Sequence, residues 1–177
     1  MKRVIWLVAI ASLWVFGCAH APTQPGERAD LVRNAEQTLA RMEAKDPTLR
    51  PLIDRSVGYV VFPAVGQGGF LVGGGAGSGV LFENGQPVHF ATVSNLAVGA
   101  IAGGQRFAQV VVLRDPAALA QLKSGRFAFG AQASAVMLRS GAAAGATFDK
   151  GTAVFVEPVH GAILNASIGG QRIRLTL

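Results

Sequence analysis

The chain has one cysteine, few charges, few aromatic residues and no N-terminal apolar run long enough to cross a membrane. Charged residues make up 15% and aromatic residues 7% of its 177 residues. A single cysteine excludes an intramolecular disulfide framework. The uncharged run 4–16 is 13 residues long, whereas a membrane-spanning helix needs about 20 apolar residues. The sequence therefore predicts no transmembrane helix at this end.

The N-terminal residues instead have the pattern of an export signal. Lys2 and Arg3 precede the apolar run 4–16, and Val-Phe-Gly-Cys follows at residues 15–18. A positive start, a short apolar segment and a small residue before the cut are typical of a secretory signal. The ending resembles a bacterial lipobox. That resemblance implies cleavage before Cys18 and acylation of Cys18 with diacylglycerol and a further chain such as palmitate.

The predicted location follows from this anchor. A secreted lipoprotein lies in the cell envelope, and Ala19, where an aspartate would resemble an inner-membrane retention signal, favours the outer membrane facing the periplasm. An ordinary secretory signal, cut at Ala19 or Ala21, is the alternative. The predicted organisation is a signal peptide at 1–17, a tether at 18–26 and a single domain at 27–177.

Glycine is abundant where charge is scarce. The chain holds 23 glycines, and residues 56–105 carry a single charge, that of Glu83. Glycine within strand-like sequence marks places where backbones approach closely. The sequence therefore predicts an α+β domain. Its N-terminal helix packs on an antiparallel β-sandwich or barrel-like sheet, with one short inserted helix.

An amphipathic helix is predicted over 27–46, ended by Pro47. Its apolar positions recur on one face, at Leu31, Ala35, Leu39 and Met42. This stripe either seals one side of the sheet or, alternatively, lies in the membrane interface beside the anchor.

Capping and turn residues place the other elements. Asp115, Pro116 and Gly125 delimit the inserted helix, and Asn84-Gly85 predicts a tight hairpin turn. The predicted strands are 57–62, 80–82, 88–93, 96–102, 106–113, 126–131, 132–138, 153–156, 162–168 and 172–177.

Two segments carry a family resemblance. GYVVFPAVGQGGFLVGGGAGSGVLFENG (58–85) and VVVLRDPAALAQLKSGRFAFGAQAS (110–134) look like the SYLF domain family. Shared features are an apolar strand ending in Phe-Pro, a Gly-Gly-Phe step, a glycine-rich hairpin and a later Phe-containing strand. The resemblance implies phospholipid binding, including phosphoinositides in eukaryotic members. The actin association of yeast members is not expected in an exported bacterial protein.

No catalytic or metal-binding pattern is present in the sequence. The glycine-rich stretch 66–79 fits neither the dinucleotide-binding nor the P-loop spacing, so close β packing is the expected role of its glycines. His20, His89 and His160 are far apart and lack partners at metal-ligand spacing. We therefore expect no enzyme activity, no metal and no cofactor.

Positive charge is concentrated near the C-terminus. Residues 106–177 carry 8 basic and 3 acidic side chains, whereas residues 18–105 carry 6 and 7. Basic residues close to an anionic bilayer contribute about 1 kcal/mol each. The candidate headgroup-binding residues are Arg106, Lys123, Arg126, Arg139, Lys150, Arg172 and Arg174. Alternatively, these basic residues are scattered over the surface and simply solvated. The scarcity of aromatic residues disfavours nucleic acid as a binding partner.

Two functions are consistent with these observations. The first is a non-enzymatic, membrane-anchored lipoprotein whose SYLF-like domain binds anionic phospholipid headgroups. The second is a structural lipoprotein that binds another envelope protein, which the sequence does not identify.

Overall fold

The computed structural model describes residues 22–125, 127–129, 135–160 and 171–176. Within them the chain forms an α+β arrangement, as predicted. The helices are α1 (Pro25–Lys45), α2 (Leu49–Asp54) and α3 (Pro116–Lys123). The strands are β1 (Gly58–Glu83), β2 (Gln86–Leu113), β3 (Ala128–Phe129), β4 (Val136–Met137), β5 (Thr152–His160) and β6 (Gln171–Thr176). The predicted strand 162–168 lies outside the described residues.

Helix α1 begins earlier than predicted. Pro25 and Gly26, assigned to the tether from sequence, form its first turn. Proline suits this position because the first helical N–H has no intrahelical acceptor. The Glu27 carboxylate accepts hydrogen bonds from the backbone N–H groups of Thr23 (3.2 Å) and Gln24 (3.4 Å). The predicted tether 18–26 is therefore too long by two residues.

The apolar stripe of α1 packs on the sheet. Ala35 and Met42 are fully buried in a cluster with Tyr59, Val61 and other sheet residues. Leu31 and Leu39 are half-buried against the same cluster. The stripe thus seals one sheet face, which was one of the two predicted roles, and it is not available to a membrane interface.

Strands β1 and β2 form one long antiparallel hairpin. Their register runs from Gly58 opposite Leu113 to Glu83 opposite Gln86. The turn residues Asn84 and Gly85 have φ values of 52° and 75°, which confirms the predicted tight turn. The prediction of five separate strands within 57–113 is wrong in number, because pairing continues through the glycine-rich segment.

The two halves of β1 pack against each other where glycines remove the side chains. A Cβ on Gly77 would lie 2.7 Å from the carbonyl oxygen of Ala64, and one on Gly75 would lie 2.8 Å from that of Gly66. At Gly79 the added atom would overlap the carbonyl of Val61. This confirms the predicted role of these glycines in close β packing.

Alternation along the strands builds two hydrophobic cores. On β1, Val60 and Phe62 point to the core beneath α3, whereas Tyr59 and Val61 point to the core beneath α1 and α2. Successive residues of a strand face opposite sides of a sheet. The sheet is therefore covered by helices on both faces.

Helix α3 has the predicted boundaries. The Asp115 carboxylate accepts a hydrogen bond of 2.9 Å from the backbone N–H of Ala118, and Gly125 has a φ of 70° just beyond the helix end. Ala118 and Leu122 are buried in the core. Both capping predictions are confirmed.

The sheet order is β3-β6-β2-β5-β4, with β1 paired to β2. Between the described strands the ladders are antiparallel, except that β4 and β5 are parallel. The sheet is thus mostly antiparallel, as predicted, with one parallel pair that the sequence did not predict. The described ladders do not join β3 to β4. None of the helices in the described ranges combines the length and hydropathy that a membrane span requires.

We predict that Gly79→Ala lowers the free energy of unfolding by about 1–3 kcal/mol, since the new methyl group must displace packed atoms. Cδ1 of Phe62 would lie 2.6 Å from it. Urea denaturation followed by circular dichroism measures the change. Gly104→Ala is the matched control, because its nearest neighbour, the Gln67 carbonyl oxygen, lies 4.0 Å away. Equal losses in the two variants would contradict the packing explanation.

Candidate functional site

Six of the seven predicted headgroup-binding residues lie in the described part of the chain. Arg126 and the predicted lipidation site Cys18 lie outside it. The six described residues are all exposed: Arg106, Lys123, Arg139, Lys150, Arg172 and Arg174. A side chain must be exposed to contact a headgroup, and all six meet this requirement. Whether they form one binding surface therefore depends on their positions relative to one another.

Arg172 and Arg174 share one face of β6. Burial alternates along this strand, with Gln171 and Ile173 buried and the two arginines exposed. Their partners in β2 are Ser94 and Thr92. Directly paired residues point to the same side of a sheet, so the arginines and these hydroxyl residues form one polar strip.

Arg28 of α1 lies on the same side of the sheet. Its guanidinium carbon lies 5.3 Å from the centroid of the Phe90 ring, and Phe90 is paired with Thr176 of β6. Thr176 and Arg174 are two residues apart and therefore point to the same side. We call the surface of Arg28, Arg172 and Arg174 the basic face. It adjoins the first turn of α1.

Lys123 and Arg139 lie next to other elements of the fold. Lys123, at the end of α3, forms an ion pair of 2.8 Å with Glu83. Arg139 is two residues before Gly141, whose N–H binds Asp46 at the C-terminal end of α1. Because α1 has 21 residues, its two ends are about 30 Å apart. Arg139 is therefore remote from Arg28.

Lys150 and Arg106 lie at opposite ends of β5. Lys150, with a φ of 46°, and Gly151, with a φ of 76°, form the turn that leads into β5. Arg106 is paired with Gly66 and His160 at the other end of β5. The described residues thus do not support one patch of all the predicted cations, but they do bring two of them together.

Asp46 is a key polar residue that sequence analysis missed. It is fully buried at the end of α1 and accepts hydrogen bonds from Thr48 Oγ1 (2.6 Å), Ala143 N (2.8 Å) and Gly141 N (3.0 Å). Burial acts to raise the pKa of Asp46, but these hydrogen bonds outweigh it and hold the pKa below its usual value. The carboxylate ties α1 to the loop before β5.

A cavity of about 410 Å³ lies between α1, α2 and the β1–β2 turn. Its lining residues are Leu39, Glu43, Arg50, Ile53, Asp54, Ser56, Gly58, Tyr59, Asn84 and Gly85. Glu43, Arg50 and Asp54 are its charged residues. Sequence analysis did not find this cavity, since its residues come from three segments that only the fold brings together.

Glu43 is the least satisfied polar side chain of the cavity. Its Oε1 is buried without a hydrogen-bond partner, and its Oε2 lies 3.6 Å from Nη1 of Arg50. Burial raises the pKa of Glu43 despite the opposing charge of Arg50. Burial also raises the pKa of Tyr59, and the negative charge of Glu43 adds to this rise. A half-buried carboxylate and a buried phenol thus line one cavity.

Comparison with protein-family models and with curated proteins does not extend the description of this site. No protein-family model matches the chain, and no curated protein matches it. The SYLF resemblance therefore stays a prediction based on residues 58–85 and 110–134.

We predict that Asp46→Asn lowers the free energy of unfolding by about 1–3 kcal/mol at neutral pH, because an amide N–H₂ would then face backbone N–H donors. The pKa of Asp46 is lowered in the folded state. Its stabilisation is therefore complete above the unfolded-state pKa of about 3.9 and is lost as pH falls through the folded pKa.

Denaturant titrations at neutral pH and near pH 3 measure this effect. The difference between wild type and Asp46→Asn should shrink in acid, where the wild-type carboxyl is increasingly protonated. Asp30→Asn, at an exposed α1 residue paired with Arg33, is the control and should change stability little. A difference for Asp46→Asn that is independent of pH would contradict the assigned charge state.

Proposed function

We propose that this chain is a membrane-anchored envelope lipoprotein whose domain binds anionic phospholipid headgroups through the basic face. Acyl chains on Cys18 provide the anchor. Arg28, Arg172 and Arg174 contact phosphate oxygens. The observation that carries this proposal is the position of the basic face beside the first turn of α1, which is the part of the described domain nearest in sequence to Cys18.

The short segment between Cys18 and α1 keeps the basic face close to the membrane surface. Six residues separate Cys18 from Pro25, and six extended residues span about 20 Å. The basic face therefore stays near the bilayer, where electrostatic attraction acts within roughly 8–10 Å. Anchoring raises the local headgroup concentration, so cations of modest individual affinity suffice.

We further infer that the sheet curls into a barrel-like form of the SYLF type. The contacts between the two halves of β1 support this curl. The fully buried pair of Gln109 in β2 and Gln171 in β6 also supports it, since their side-chain amides exchange hydrogen bonds of 2.9 and 3.0 Å. Gln171 is paired in the ladder with Asn95, 14 residues before Gln109, so β2 must bend to bring Gln109 to β6. The SYLF resemblance independently implies phospholipid binding.

We predict that Arg172→Glu with Arg174→Glu weakens binding to phosphatidylglycerol vesicles by about thirty-fold or more, since each lost contact contributes about 1 kcal/mol. Co-sedimentation of the unacylated segment 22–177 measures the affinity. This segment retains the N-terminal cap of α1. Wild type should bind anionic vesicles more tightly than phosphatidylcholine vesicles.

The matched control is Arg139→Glu with Lys150→Glu, which changes the net charge equally but away from the basic face. It should weaken binding by no more than about three-fold. Equal losses for the two double variants would contradict a localised face. Equal binding to neutral and anionic vesicles would contradict headgroup recognition and favour the structural role with a protein partner.

We predict that Cys18→Ser abolishes acylation. Wild-type chain expressed in a bacterium with an alkyne-labelled palmitate should carry the label and fractionate with membranes, whereas the variant should not be labelled. Ala21→Ser is the control, since it alters an alternative cleavage position and leaves Cys18 intact. Labelling that persists in Cys18→Ser would contradict the anchor.

A further inference from the structure

The cavity between α1, α2 and the β1–β2 turn contains a carboxylate with unused hydrogen-bonding capacity. A carboxylate can accept about four hydrogen bonds. Among the described residues, that of Glu43 has only the 3.6 Å ion pair from Oε2 to Arg50. Arg50 also forms a shorter pair, 2.8 Å, with Asp54. The guanidinium is therefore held more closely by Asp54 than by Glu43.

The charge of the lining favours a cationic ligand. Glu43 and Asp54 are acidic and Arg50 is basic, so ionisation of all three leaves one negative charge in excess. An anion would have to approach two carboxylates. A cation with N–H donors would instead form the short, charge-assisted hydrogen bond that Glu43 lacks.

The remaining lining suits a short apolar group. Ile53 and Tyr59 are 7% and 8% exposed, and Leu39 completes this side of the cavity. The Tyr59 ring is fixed by stacking on Phe82, with centroids 5.2 Å apart and an interplanar angle of 10°. The volume of about 410 Å³ lies within the range of small-molecule sites.

We propose that this cavity binds a small molecule that carries a primary ammonium group on a short apolar or ethanolamine-like chain. The ammonium donates to Oε2 of Glu43, beside Arg50, and the chain packs against Leu39, Ile53 and Tyr59. This site is separate from the basic face, so it holds whether or not that face binds lipid.

Tyr59 provides a direct probe, because it is the only tyrosine of the chain. The full-length protein, labelled with ¹³C-tyrosine and held in uncharged detergent micelles, is titrated with n-butylamine. The Tyr59 resonances should shift saturably, with a roughly millimolar Kd as expected for five heavy atoms. Butanol and butyrate test the need for positive charge and should produce no saturable shift.

Two variants with opposite expected effects on butylamine affinity test the contact between the ammonium group and Glu43. Glu43→Gln should weaken butylamine binding about tenfold or more, since it removes the charged acceptor. Arg50→Gln should tighten it about threefold, because Arg50 competes for Oε2. Glu36→Gln, at an exposed α1 residue outside the lining, is the control and should bind as wild type. Circular dichroism melts verify that each variant is folded.

The titration also distinguishes the source of the ammonium. Tighter binding of glycerophosphoethanolamine than of butylamine supports a lipid headgroup, and the reverse supports a soluble amine. Saturable binding of butyrate that Arg50→Gln abolishes would overturn the proposal, as would unchanged butylamine affinity in a folded Glu43→Gln variant.

Discussion

The close contact between the two halves of β1 is the constraint on which the rest of this fold depends. Gly75, Gly77 and Gly79 leave room for the backbone at Gly66, Ala64 and Val61, so a 26-residue strand can fold back on itself. Only then do the start and end of β1 meet. The β1–β2 turn is thereby brought beside Gly58 and Tyr59, where it forms one wall of the cavity. A side chain at these positions would separate the strand halves.

Ion pairs then determine which charges remain available. Glu157 of β5, 7% exposed, binds Arg41 at 3.0 Å and Lys45 at 3.4 Å and so holds the C-terminal half of α1 across the sheet. Lys123 is occupied by Glu83. No acidic side chain among the described residues forms an ion pair with Arg172 or Arg174. Among the described residues, Arg172 and Arg174 therefore lack the ion pairs that Arg41, Lys45 and Lys123 form.

The junction of α1 and α2 combines two carboxylates whose pKa values are shifted in opposite directions. Asp46 is fully buried yet has a lowered pKa, because backbone and hydroxyl donors surround it. Burial raises the pKa of Glu43, one helical turn earlier, and Arg50 only partly opposes this rise. Burial thus dominates at Glu43, whereas hydrogen bonds to the ionised carboxylate dominate at Asp46. Asp46 thus stabilises the junction, whereas Oε1 of Glu43 has no hydrogen-bond partner among the described residues.

Local patterns in the sequence determined the helix stripe at Ala35 and Met42, the caps of α3 at Asp115 and Gly125, and the turn at Asn84-Gly85, because each depends on neighbouring residues alone. The sequence also predicted that glycines mark close packing. It could not specify that two strands span 57–113, that β4 runs parallel to β5, or that Arg172 joins Arg28 while Arg139 does not. Those features depend on contacts between residues distant in the chain, and only the tertiary structure decides them.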